Sequence, residues 1–160
     1  MKTDLHSRLM AEAIEVCKRG IAAGQSPFGA VIATRDGEVV FTSHNRVRQS
    51  VDPSAHAEIS AIRGACEKLR TIDLSGHVMA TTCEPCPMCA SAIHWAKLDT
   101  VIYGAGIEDA RVAGFNELIL SVRELDGSGG SGVQFVEGVL RDECRELFQR
   151  WADGPNPTPY

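Results

Sequence analysis

Apolar residues recur at three- and four-residue steps near the start of the chain: Leu9, Ala13, Val16, Cys17 and Ile21, with Arg8, Glu12, Glu15 and Lys18 between them. That spacing predicts an amphipathic helix over residues 5–23, which Gly24 stops. The pattern then shortens. Ala30-Val31-Ile32-Ala33 reads as an apolar strand, Arg35-Asp36-Gly37 as a hairpin turn, and residues 38–42 as the returning strand. A polar connection over 43–54 leads to a second helical period over 55–69. There Ala55, Ile59, Ile62 and Cys66 form an inward stripe and Ser54 offers an N-cap. A strand over 78–82 is followed by a helix over 86–97, with Pro85 and Pro87 confined to its entry. Residues 100–104 read as a strand, 107–114 as a short helix, 127–132 as a flexible Gly/Ser loop, and 133–136 as a final strand. The closing helix, 139–152, lines up Leu140, Cys144, Leu147, Phe148 and Trp151 on one face.

Strands that alternate with helices after an initial hairpin predict an α/β fold, one sheet of about five strands with helices on both faces. The 160 residues suit a single domain over 1–160, with 153–160 as a C-terminal tail or lid. No apolar run approaches a membrane span, and the first twenty residues carry acids where a secretory signal would be apolar. Six cysteines without a signal point to a reducing compartment, by default the cytoplasm, and to thiols used for metal or packing. A formal charge of −5 argues against a polynucleotide substrate, since nucleic-acid enzymes present basic surfaces.

The chemistry concentrates in Ala55-His56-Ala57-Glu58 and in Cys83-Glu84-Pro85-Cys86-Pro87-Met88-Cys89. His56, Cys86 and Cys89 make one imidazole and two thiolates, a set suited to zinc. Three protein ligands leave a fourth position for water, as in catalytic zinc sites. Glu58 lies close enough to exchange protons with that water without being a ligand. Other readings stay open here. A lone C-x-x-C can be a redox pair or half of a structural zinc site, and Cys83 extends the series to a fully protein-ligated one. On an ideal helix His56 and Glu58 lie about 200° apart, so both face one metal only if the helix start departs from regular geometry. The Ala57 backbone amide, in the first turn, would point at a carbonyl or an anion.

Together the two motifs resemble the signature of zinc nucleobase deaminases. Nearly the whole chain resembles the cytidine deaminase-like superfamily, and within it the bacterial guanine and nucleoside deaminase branch. The likeness is carried by Pro27-Phe28-Gly29-Ala30-Val31-Ile32, by Asp52-Pro53-Ser54 leading into His56 and Glu58, by Ala92-Ile93-His94-Trp95-Ala96 after the cysteines, and by Ala113-Gly114-Phe115. It implies a three-layer α/β/α fold, one zinc per subunit and a homodimer. It also implies that Asn45 is a ring-binding amide and Phe28 a stacking wall. In guanine deaminases the C-terminal tail can cross to the partner subunit and close the site with a terminal tyrosine, a part that Tyr160 fits.

Guanine deaminases resemble Gly-Phe-Asp where this chain has Gly114-Phe115-Asn116, followed by Glu117. An amide donates as well as accepts, so Asn116 suits guanine less exclusively, and Glu117 could substitute from the next position. The departure leaves cytosine or aminotriazine as alternative substrates. Val136-Glu137-Gly138-Val139-Leu140-Arg141-Asp142-Glu143-Cys144 resembles instead the end of tRNA adenosine deaminases, although those carry a basic C-terminal extension. The resulting expectation is hydrolytic deamination of a free base, most readily guanine, with a tRNA adenosine deaminase as the alternative. A non-enzymatic zinc module is the remaining class; it would have no use for Glu58.

Overall fold

The computed structural model describes residues 2–160. A long helix, α1 (Lys2–Ala22), precedes the hairpin β1 (Gly29–Thr34) and β2 (Val39–His44). One helical turn, α2 (Val47–Ser50), leads to α3 (Ala57–Leu69), then β3 (His77–Cys83), α4 (Pro87–Ala96) and β4 (Thr100–Ala105). Two short helices, α5 (Ile107–Val112) and α6 (Val122–Gly129), precede β5 (Gln134–Val136) and α7 (Arg141–Ala152). The sheet order is β2-β1-β3-β4-β5, antiparallel from β2 to β3 and parallel from β3 to β5. Helices α1 and α7 pack together on one face; α3 and α4 meet on the other. This is the expected three-layer α/β/α arrangement. Strands β1, β3 and β4 are buried almost throughout, as a sheet covered on both faces requires.

The helices on the first face lie close to the sheet because two strand glycines make room, one for the backbone of α1 and the Cys17 Cβ, the other for the Cys144 thiol. A Cβ built on Gly29 would stand 2.9 Å from the Cys17 Cβ and 2.4 Å from the Ala13 carbonyl oxygen of α1. One built on Gly104 would stand 2.2 Å from the Cys144 Sγ of α7. On the opposite face the deepest line of α3 is Ala57, Ala61 and Ala65, with Ile62 and Cys66 only partly buried beside it. The apolar stripe expected from the bulkier residues is thus rotated, because alanine lets the helix approach the sheet and larger side chains are pushed to its flanks.

Two further expectations give way. Ser54 does not cap α3; its hydroxyl and amide both bond to Asp52 Oδ1, at 2.7 and 2.8 Å, within the preceding turn. Residues 127–129 of the Gly/Ser stretch are not loop but the last turn of α6. A reciprocal cap between Ser121 and Glu124 starts that helix, and Gly130 ends it in the left-handed region, at φ 64°.

Chain direction decides where chemistry can gather. Since β2, β3 and β4 run the same way, their C-terminal ends share one edge with the N-terminal end of β1. Register agrees: Gly29 is opposite His44, Ala30 opposite Thr81, and Cys83 opposite Ala105. Phe28, Asn45, Glu84 and Gly106 each lie one residue beyond these strand ends. Among the described residues no helix is long and apolar enough to cross a membrane.

Candidate active site

His56 and Cys86 occupy equivalent places, each one residue before a helix. Both have extended backbones, with φ −61° and ψ 158° at His56 and φ −66° and ψ 166° at Cys86. This removes the 200° difficulty. His56 stands outside the helical rotation, so its ring can turn towards the side on which Glu58, in the first turn of α3, also lies. Cys89 sits three residues into the entry of α4, below Cys86. Among the described residues, His56, Cys86 and Cys89 form a group whose ligand atoms all lie within 4.8 Å of one another.

The donor set fits zinc. Both sulfurs are 3.6 Å from His56 Nδ1. A tetrahedral ion with ordinary zinc–sulfur and zinc–nitrogen bonds requires an S···N separation of about 3.6 Å. The Cys86 thiol is held down to about 4, first by its hydrogen bond with Cys89, against the effect of burial, and then by His56. A thiolate is therefore already favoured where a cation would sit.

Glu58 is 5% exposed. Burial pushes its carboxyl up to about 7, and His56 works in the opposite direction. It shares a small pocket with Phe28, His56, Cys83, Glu84, Cys86, Glu117 and Tyr160. The pocket holds about 10 Å³ of free space, far below the roughly 300 Å³ at which small-molecule sites begin. Tyr160 is what closes it. Its ring stands 5.8 Å from that of His56 and edge-on to Phe115 at 5.4 Å. Its hydroxyl accepts from Asn45 Nδ2, and its main-chain oxygen accepts from the Asn116 amide at 3.0 Å. Arg48 donates to the Thr158 carbonyl, and Pro159 packs against Gly114. Within one chain, then, the tail folds over its own site.

The other expected contacts divide. Asn45 is fully buried, held by its amide to the Phe28 carbonyl (2.9 Å) and by Oδ1, which accepts from the Val47 amide (3.2 Å). Phe28 serves core and pocket together: it lines the pocket and packs edge-on against Phe115 at 5.0 Å and Phe148 at 5.8 Å. Ala57 is the first residue of α3, where an amide has no intrahelical acceptor. Of the pair left open, Glu117 lines the pocket, and burial followed by the Cys86 charge raises its carboxyl. The Asn116 side chain is exposed, and only its backbone takes part, through Tyr160. Sequence reasoning missed Glu84 as a pocket residue; nothing in its spacing distinguishes it from a helix-entry acid. A larger cavity of about 200 Å³ lies between α4 and α6, around His94, Trp95 and Asp126, but the convergent donors and acids lie elsewhere.

Comparison with known proteins agrees with this geometry. Residues 3–105 match the model of the cytidine and deoxycytidylate deaminase zinc-binding region. The chain is 37% identical to guanine deaminase of Bacillus subtilis over 156 residues, 97% of this chain and 99% of that one. It is 33% identical to a tRNA-specific adenosine deaminase of the same organism over 135 residues, 84% of this chain and 81% of that one. A solved guanine deaminase from Nitrosomonas europaea superposes with a TM-score of 0.85 at 30% identity, covering 91% of this chain and 83% of its own.

Proposed function

The chain belongs to the cytidine and deoxycytidylate deaminase zinc-binding family and is a zinc-dependent nucleobase deaminase; from that premise we propose that it hydrolyses a free base, guanine before others, to the oxo product and ammonia. The observation that carries the choice of a free base is the closed pocket. A side chain of the chain's own tail lies over the acids and thiols, so the site is shut by a cover that must lift to admit a small ring and shows no open face for an anticodon loop. Full-length similarity to guanine deaminase and a pocket carboxylate besides Glu58 and Glu84, Glu117, support guanine within that class.

His56, Cys86 and Cys89 would hold the zinc, which when bound makes water nucleophilic at neutral pH. Glu58 takes one proton from the attacking water and delivers it to the ring nitrogen beside the reacting carbon; it then takes the remaining proton from the new hydroxyl and gives it to the amine, which leaves as ammonia while the carbon becomes the oxo centre. A single buried carboxyl can do this because it alternates between base and acid. Phe28 packs on the ring face. The Asn45 amide and the Ala57 N–H donate to the base, and Glu117 accepts from its N–H groups; Asn116 contributes through its backbone, by holding Tyr160. Burial of these groups excludes water from the reacting atoms.

The reading extends to a homodimer in the cytoplasm, working on purine bases. Helix α4 supports the dimer: it contains no Asp, Glu, Lys or Arg, yet it leaves Trp95 78% exposed and Met88 partly so.

The direct test is ammonia release by the zinc-loaded protein from guanine, guanosine, cytosine, adenine, an aminotriazine and a tRNA anticodon stem-loop. Preference for guanine is expected. Turnover confined to the stem-loop would favour the adenosine deaminase reading that the second Bacillus relative supports.

In this reading residues 153–160 are a lid that opens for entry and shuts over the base. Deleting residues 156–160 should cut kcat/KM for the free base about tenfold or more, since closure completes the site and excludes water. Tyr160→Phe, which loses only the hydroxyl beside Asn45, should cost less. Unchanged kinetics in the truncated protein would remove the lid from the mechanism.

A further inference from the structure

Glu84 is the acid in the pocket to which no role has yet been given. It follows Cys83, the last residue of β3, and its amide bonds to the Ala105 carbonyl at the end of β4 (2.8 Å). Its two carboxylate oxygens go to different parts of the chain. Oε2 accepts from the Ile107 amide at 3.2 Å, and Oε1 accepts from the Val122 amide at 2.9 Å. Those amides open α5 and α6. Between them runs the segment that carries Phe115, Asn116 and Glu117.

That segment has little else to hold it. Its backbone bonds are short-range, from Phe115 to the Ala110 carbonyl, Glu117 to Phe115 and Leu120 to Leu118, apart from the Asn116 bond to the tail. The Phe115 ring is buried, but Leu118 and Ile119 are 68% and 78% exposed and give no anchorage. The Phe115 ring, the Asn116 bond to the tail and one carboxylate therefore fix where Glu117 stands relative to His56 and Cys86. The carboxylate lies two residues before Cys86, on a stretch stiffened by Pro85 and Pro87.

We propose that Glu84 is a positioning residue for substrate recognition: by holding the amides of Ile107 and Val122 it sets Glu117 against the site and presents the Asn116 amide to the tail. Both its oxygens are engaged by backbone N–H groups, so it acts through the segment rather than on the base. A carboxylate suits the task because it offers two diverging acceptors. Glutamine offers one, and it would turn an N–H towards an amide that needs an acceptor. The proposal rests on the reading of Glu117 as a substrate contact.

The test is a double-mutant cycle in the zinc-loaded enzyme with guanine as substrate, pairing Glu84→Gln with Glu117→Gln. Hydrogen exchange and zinc content are followed alongside. Glu84→Gln should keep full zinc and lower kcat/KM by up to roughly 100-fold through misplacement of the segment, mostly through KM. In the Glu117→Gln background the same change should have a much smaller effect, because the two residues act as one unit. Exchange should quicken over 113–121 and over the tail, and not in β1 or β3. Additive losses, or unaltered exchange over 113–121, would overturn the proposal. Should Glu117→Gln itself leave turnover untouched, the reading of Glu117 falls, and exchange alone decides whether Glu84 anchors the segment. Glu84→Asp keeps two acceptors on a shorter arm and should recover part of the loss; a purely stabilising carboxylate would change melting temperature and leave KM alone.

Discussion

Glu58→Gln should bind zinc as the parent does and turn over its substrate about 10²–10⁴-fold more slowly. The expectation follows from where Glu58 stands. It is in the first turn of α3, two residues from His56 and almost wholly buried, and its carboxyl is raised by burial to about 7. A carboxyl of that kind is populated in both protonation states near neutrality, as a group that is base and then acid requires. Glutamine keeps the volume and one acceptor oxygen and can carry no proton between water and ring. Steady-state ammonia release with metal content measured on the same sample checks it. Turnover that survives the substitution would take Glu58 out of the chemistry.

Loss of the metal should be more severe. Stripping zinc with a chelator should abolish ammonia release, and adding zinc back should restore it. Cys89→Ala should have the same effect by leaving two ligands where three converge. Cys89 is fully buried at the entry of α4, so no neighbouring residue can slide into its place without moving the helix. Stability should follow. A ligand held at 100 times its dissociation constant adds about 2.7 kcal/mol to the folded state. For a chain of this length that is a shift of roughly 5–10 °C in melting temperature. Calorimetry of the zinc-loaded and stripped protein measures it. A Cys89→Ala protein that held zinc stoichiometrically and turned over normally would exclude Cys89 from the ligand set.

Much of this is legible in the sequence. The helical periods of α1 and α7, the hairpin, and the spacing of His56, Glu58, Cys86 and Cys89 are local signals; the structure gathers His56, Cys86 and Cys89 into one cluster and sets Glu58 in the pocket beside it. What stayed hidden depends on partners far away in sequence. The His56 conformation is set by its place outside α3, which a periodicity argument treats as inside. Alanine in α3 reads as neutral until the sheet is there to be approached. Residues 127–129 read as loop because glycine lowers helix propensity, yet the Ser121 and Glu124 cap starts the helix regardless. Asn116 and Glu117 are adjacent, and only the path of the segment decides which faces inward. Nothing at Glu84 announces that its two oxygens reach forward 23 and 38 residues.

The close glycine contacts between β1 and α1, and between β4 and α7, bear on how this chain can vary. Gly104 and Cys144 share a space that holds one sulfur and no further carbon, whereas Gly29 faces the main chain of α1 and the Cys17 Cβ. Enlarging the glycine alone overfills the layer, at a cost of about 1–3 kcal/mol. Shrinking the thiol alone leaves a gap. At 104 and 144 the two changes largely offset each other, with the Val139 carbonyl, 3.0 Å from the added carbon, having to give only slightly, so these positions form one heritable unit in which substitutions are tolerated in pairs. At 29 the Ala13 carbonyl is part of the obstacle and no side-chain change removes it. The β4–α7 interface can drift by compensation, whereas the β1–α1 interface is fixed by the main chain itself.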